Sequence, residues 1–322
     1  SISAGGRVAL AGGRWEATSA SNSAVLVNGL LEGSGVIDAQ GVTISGGANR
    51  GRLHTAAGDR LRLTGLAINN GLIDLAGGEL DIAGTLINNN VADIDARNGA
   101  VLRVGGAGLT NANGSQISIT SGVVDVFGAV TNNLGGQIAV VGRSTAVFHD
   151  AFTNNGGIFV SASSELVLLE NLSFNTASSL AVQLAPPGAM DDPADGFGLV
   201  SVGGAAALSG TLAVSLASGF SPSPGDSFEI LRSAGGLSGT FADVALPTLP
   251  GGLSLDVLYT PTSVMLAVVP SGFAADFDND GDVDADDLAI WRGAYLQNAL
   301  ADATGDGVSD GADFLVWQRQ VG

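Results

Sequence analysis

The 322-residue chain contains no cysteine and no lysine. Without cysteine, neither disulfides nor thiolate metal sites can form, so a chain working in an oxidising compartment needs other staples, such as repetitive sheet or a hard cation. All twelve basic residues are arginine, which removes Schiff-base and lysine general-base chemistry. Aromatic residues make up 5 %, with three Trp and two Tyr, so stacking platforms for sugars or bases are scarce. The formal net charge of −19 argues against nucleic acid or an anionic membrane as partner. There is no charged-then-apolar leader and no apolar run long enough to span a bilayer. The opening SISAGGRVALAGG reads as mid-domain sequence, and the chain is expected to be the mature C-terminal part of something longer.

What the chain does have is repetition. LIDLAGGELDIAGTLINNN, QISITSGVVDVFGAVTNN and QIAVVGRSTAVFHDAFTNN each hold a short alternating run, a Gly or Ser turn, a second alternating run and an Asn-rich corner. The first runs begin near Gly35, Arg52, Leu72, Ala92, Gln116, Gln137, Gly157 and Ser179, in steps of 17, 20, 20, 24, 21, 20 and 22 residues. Alternation at period two means strands, and two or three short strands per step mean one coil of a parallel β-solenoid. Leu61/Leu63, Leu80/Ile82, Leu102/Val104 and Val124/Val126 are the expected inward pairs. Asn69, Asn88, Asn111, Asn132 and Asn154 recur at one corner, where Asn tolerates left-handed backbone angles and stacked amides can bond from coil to coil.

The fold expected is all-β: a right-handed parallel β-helix over residues 1–184, then β-rich final coils and a cap over 185–270, closing the open sheet end. A joint at Val269-Pro270-Ser271-Gly272 leads to a small α-helical module with two cation loops over 271–322. That last stretch is a separate electrostatic unit, holding eleven Asp against two Arg.

Within it, Asp276, Asp278, Asp280, Asp284 and Asp287 occupy places one, three, five, nine and twelve of a twelve-residue loop, with Gly281 at the sixth and the Asp282 carbonyl at the seventh. A hard cation takes six to eight oxygens, and this spacing wraps them around one point, so Ca2+ is the expected cofactor. Asp302, Thr304, Asp306, Gly307, the Val308 carbonyl, Asp310 and Asp313 repeat the layout 26 residues later, for a second site. Each loop runs into a short apolar helix, DLAIWRGAY or DFLVWQRQ, with Trp291 and Trp317 at equal offsets.

This duplicated half-EF-hand, within residues 271–322, resembles the dockerin family over about 45 residues. The resemblance implies calcium-driven folding, docking to a cohesin-like module and an extracellular or cell-surface location. Ala285-Asp286 and Gly311-Ala312 stand at the positions where that family reads its cohesin, often with Ser-Thr. The repeats before it resemble solenoid passenger and adhesin-like repeats of exported, autotransporter-like bacterial proteins, which implies display or adhesion, with glycan or surface matrix as a further partner.

Parallel β-helices also host polysaccharide lyases and hydrolases, so a secreted carbohydrate-active enzyme is the alternative. Aligning the coils puts Asp38, His54, Asp74 and Asp95 in one outward file, followed by Ser118, Ala139 and Phe159. Such carboxylates could serve as acid and base, with Arg50, Arg52, Arg60 and Arg62 holding an acidic sugar. The coil steps leave no loop long enough for cleft walls, and no nucleophile motif or clustered His occurs, so no catalytic residue is assigned. A second outward file is read as Arg62, Asp81, Arg103 and Asp125, alternating in sign to favour correct register. In later coils both files turn apolar (Ala139 and Phe159; Val147 and Val167), so part of 186–270 is expected to cover that end.

Overall fold

The computed structural model describes residues 1–16, 24–47, 50–89, 91–186, 196–250, 253–270 and 273–321. By internal contacts the chain forms two compact units. One comprises Ser1–Ser218, Glu229–Ala245 and Tyr259–Val264, the other Gly219–Phe228, Leu246–Leu258 and Met265–Gly322. Residues 271–272 of the expected joint lie outside the described residues.

The first unit is a parallel β-solenoid with three strands in a typical rung. Leu72–Ala76, Glu79–Ile82 and Leu86–Asn88 make one, and Asp93–Arg97, Val101–Val104 and Leu109–Asn111 stack on it strand for strand. Alternating residues point inward and align from rung to rung. Leu31, Leu53, Ile73, Ile94, Ile117, Ile138, Ile158, Leu180 and Leu212 form one unbroken column. None of the nine is more than 2 % exposed. At roughly 1.5–3 kcal/mol per fully buried aliphatic side chain, such columns supply the main stabilisation.

The Asn column is in register through Asn69, Asn88, Asn111, Asn132 and Asn154. Each amide nitrogen donates to the next amide oxygen at 2.8 Å. All five are buried. None adopts a positive φ, contrary to the expectation of left-handed corners. Here Asn is used for its side chain, which satisfies the main-chain carbonyls of the turn inside the core.

Stacking begins earlier than Gly35. Leu30–Asp38 is one continuous strand that pairs with Arg7–Glu16 on one side and with both Arg52–Ala56 and Arg60–Leu63 on the other. This long strand lacks the turn that later rungs place at residues 57–59. Glu32, not Asp38, therefore lies beside His54, while Asp38 bonds Thr64.

A second correction concerns the alternating file. Asp125 pairs with Val101, and Phe127 takes the place beside Arg103. The strand Gly122–Phe127 is longer than Val101–Val104, and its pairing is displaced by two residues. A two-residue displacement keeps every side chain on its face. Val124 and Val126 thus remain buried, although Leu102 pairs with Val126.

At the later rungs Phe159 and Val167 are both half-buried. Val167 and Leu169 border a hollow of about 440 Å3 whose other walls include Ser201, Glu229, Arg232 and Thr262.

In the second unit, Gly225 N–H donates to Val268 O, Val268 N–H donates to Asp226 O, and Phe220 packs edge-on against Phe228. Its C-terminal part carries two helices, α1 (Ala285–Ala294) and α2 (Gly311–Gln320). No helix of the described residues is long and apolar enough to cross a membrane.

Candidate metal centre

The two aspartate-rich loops precede α1 and α2 and are near-copies in backbone as well as sequence. Asn279 and Gly281 have φ of 60° and 103°, and Gly305 and Gly307, at the same offsets, have φ of 76° and 86°. These left-handed steps turn each loop inward, and at Gly281 and Gly307 only a residue without Cβ adopts them at no cost.

Both helices start with a reciprocal cap. Asp284 accepts from Asp286 N–H at 2.7 Å while Asp287 accepts from Asp284 N–H at 2.8 Å; Asp310 and Asp313 do the same with Ala312 and Asp310 at 2.7 Å each. The twelfth-place carboxylates also reach back to the start of the loop. Asp287 Oδ1 accepts from Phe277 N–H at 2.5 Å and Asp313 Oδ1 from Thr304 N–H at 2.9 Å. Both are fully buried.

In the first loop, carboxylate oxygens of Asp276, Asp278 and Asp287 lie within 4.8 Å of one another, and so do those of Asp282, Asp284 and Asp287. Asp287 is common to both groups, each of which could hold a metal ion. Asp282 was expected to contribute its carbonyl; in the structure it is its carboxylate that lies in the group. Asp280 accepts from Asp282 N–H at 3.1 Å. Close packing, and then the carboxylates of Asp280, Asp287 and Asp276, push the Asp278 carboxyl above the usual range. Asp282 is raised first by Asp280, then by desolvation and by Asp284. The loop thus concentrates negative charge that a cation would relieve.

The second loop differs. Asp302 is turned onto the backbone, accepting from Gly305, Asp306 and Gly307 N–H at 2.7, 3.1 and 2.6 Å. Desolvation raises its carboxyl, but these amides outweigh it and hold it below the usual range. Asp306 accepts from Val308 N–H and Thr304 Oγ1 lies 3.4 Å from Asp302. Among the described residues, this loop gathers no three carboxylates as the first does.

The helices meet through aromatic rings. Phe314 lies between Trp291, with centroids 4.8 Å apart, and Trp317, at 5.6 Å. Trp291 Nε1–H donates to the carbonyl of Asp310 and Trp317 Nε1–H to that of Asp284, both at 2.8 Å. Each tryptophan thereby holds the ninth residue of the other loop. Sequence reading missed this exchange; the equal offsets of the two tryptophans were the only trace of it.

The outward file of the solenoid is a different kind of cluster. The buried Asp74 is held by Arg52, by His54 Nδ1 at 2.7 Å and by Arg97 at 2.5 Å. Burial raises its carboxyl, yet the hydrogen bonds from Arg52, Arg97 and His54 win and hold it below the usual range. Burial and the carboxylates of Asp93 and Asp74 push Asp95 up. Arg50 pairs with Asp93, Arg60 with Glu79 and Arg62 with Asp81. All four arginines suited by position to an acidic sugar are thus engaged by carboxylates. Arg103 reaches Glu79 and lies over the Phe127 ring, which stacks on His149; His149 Nε2 is 2.7 Å from Asp125.

Comparison with protein-family models gives no match, and no curated protein matches the chain.

Proposed function

We propose that this is an extracellular display or adhesion solenoid, attached or assembled through a calcium-dependent, dockerin-like module. The observation that carries the reading is the convergence of two carboxylate groups on the buried Asp287, inside a loop whose sequence and backbone turns recur 26 residues later. Calcium suits this donor set better than magnesium, which prefers a compact octahedron and keeps its waters. In the first loop Asp276, Asp278, Asp280, Asp284, Asp287 and the Asp282 carbonyl would hold the ion. In the second, Asp302, Thr304, Asp306, Asp310, Asp313 and the Val308 carbonyl would hold another, more weakly because Thr304 brings no charge.

The cation supplies charge neutralisation and a fixed centre for the oxygens. The chain's own residues do the rest: Asp287 and Asp313 tie the loop ends to the helix starts, and the aromatic cluster fixes one helix on the other. The partner expected for such a module is cohesin-like, with glycan or surface matrix as an additional contact of the solenoid. The absence of cysteine and lysine is compatible with a chain stapled by sheet and cation outside the cell.

Calorimetric titration of the full chain with CaCl2, with MgCl2 as control, tests this. Two ions bound in the sensor or extracellular affinity range are expected, and Asp276→Ala should remove one. Absence of calcium binding would overturn the reading. Calcium-dependent, chelator-reversible capture by an immobilised cohesin module tests the partner separately.

A further inference from the structure

The exchange of tryptophan hydrogen bonds has a consequence for binding. Asp284 is at once the ninth residue of the first loop and the N-cap of α1, and its carbonyl accepts from the indole of α2. Asp310 has the same double role and accepts from the indole of α1. In both cases the carbonyl's own helical partner is distant: Leu288 N–H and Phe314 N–H lie at 3.4 Å from Asp284 and Asp310 O, against 2.8 Å for the indoles. Each ninth residue caps its own helix, but its carbonyl is held chiefly by the indole of the helix that follows the other loop.

Further contacts run the same way. Leu296 N–H, just beyond α1, donates to Ser309 O at 2.8 Å, and Ser309 N–H donates to Asn298 O at 3.1 Å. Ser309 is fully buried, and its Oγ accepts from Ala301 N–H at 2.9 Å. The residue before Asp310 is thus locked to the segment that leaves α1.

We infer that the two loops bind cations with positive cooperativity, and that Trp291 and Trp317 carry the coupling. This rests on the calcium reading above and adds to it the regulation of the sites. An ion closing the first loop fixes Asp284 and with it Trp317 and α2, whose first residues begin at the end of the second loop. The second loop then binds without ordering itself alone, and by linkage the effect is reciprocal. The second loop, poorer in charge, gains most from this help.

The experiment is calcium calorimetry on the full chain in four forms: wild type, Asp302→Asn, Trp291→Phe/Trp317→Phe, and the triple variant. Phenylalanine keeps an aromatic ring in the cluster and removes only the indole donor. Circular dichroism of each form checks that the solenoid is intact. A Hill coefficient above 1 is expected for wild type. Asp302→Asn should weaken the remaining first site at least about five-fold, and this penalty should shrink toward one-fold when both tryptophans are phenylalanine. Should the double variant lose its helices, Trp317→Phe alone gives the same comparison with half of the exchange intact. Two ions binding independently, with the first site indifferent to Asp302→Asn, would overturn the coupling while leaving the calcium reading in place. A coupling that survives both tryptophan replacements would assign it to other contacts and overturn the proposed route. No calcium binding in wild type would instead remove the reading on which it rests.

Discussion

Replacing Asn111 by Ala removes the middle amide of the buried stack. Asn111 accepts from Asn88 Nδ2 and donates to Asn132 Oδ1, both at 2.8 Å, and to the carbonyls of Gln137 at 3.0 Å and Ser115 at 3.3 Å. Asn88 Nδ2 keeps Ala92 and Gln116 as acceptors, but Asn132 Oδ1 loses its donor in a dry interior. Counting the bonds to Asn132 and to the Gln137 carbonyl at about 1 kcal/mol each, and about 1–3 kcal/mol for the Asn132 oxygen left unsatisfied, the loss comes to roughly 3–5 kcal/mol. Asn154, at the end of the stack, is the internal control. It accepts from Asn132 and otherwise meets only Gly156, at 3.2 and 3.3 Å. Asn154→Ala should therefore cost about 1–2 kcal/mol.

Guanidinium denaturation followed by circular dichroism measures both variants. Equal losses, or a loss below about 1 kcal/mol for Asn111→Ala, would refute the idea that the stack holds the rungs together. Asn111→Asp sharpens the test. A carboxylate there lacks the donor and is desolvated, so its folded pKa lies above the unfolded one. Its penalty is full at neutral pH and lifts as pH falls through the folded value.

Three further outcomes are expected. Ile94→Ala, inside the nine-residue inward column from Leu31 to Leu212, should cost about 2–5 kcal/mol in the same assay. Asp74 is held below its ordinary 3.8, so its contribution is full above that pH and is lost as pH falls toward the folded value. Acid unfolding curves should accordingly fall less steeply below about pH 4 for Asp74→Asn than for wild type. Gly281→Ala meets nothing within 4 Å but is forced to a φ of 103°; loop closure should be penalised by about 1–2 kcal/mol, read as a roughly ten-fold weaker first calcium site with the solenoid's thermal transition unchanged.

Much of the solenoid was legible because its signal is local. Arg52, Leu72, Gln116, Gln137, Gly157 and Ser179 open their strands as the alternation indicates, and Ala92 is one residue early. The two pairing errors have one physical origin: alternation reports which face a side chain takes, not which neighbour it meets. Moving Asp125 two residues along its strand leaves the pattern intact, so only the pairing itself could show that Phe127 sits beside Arg103. The placement of Asp38 failed because Leu30–Asp38 runs straight through the position where later rungs turn. The aspartate-rich loops were legible from spacing, since the carboxylate positions and the glycine fall within twelve residues. The indole bonds were not, because they join residues 19 and 33 apart through helix packing.

The asparagine stack also has a direction. Every one of its four amide–amide bonds runs from the nitrogen of the earlier rung to the oxygen of the later one. The amide dipoles therefore add head to tail, and each bond polarises the next. Rotating a single interior amide by half a turn would set oxygen against oxygen on one side and nitrogen against nitrogen on the other. The five side chains consequently share one orientation as a collective property, and a rung placed upside down or out of step would be rejected by all of its neighbours in the chain of amides rather than by one.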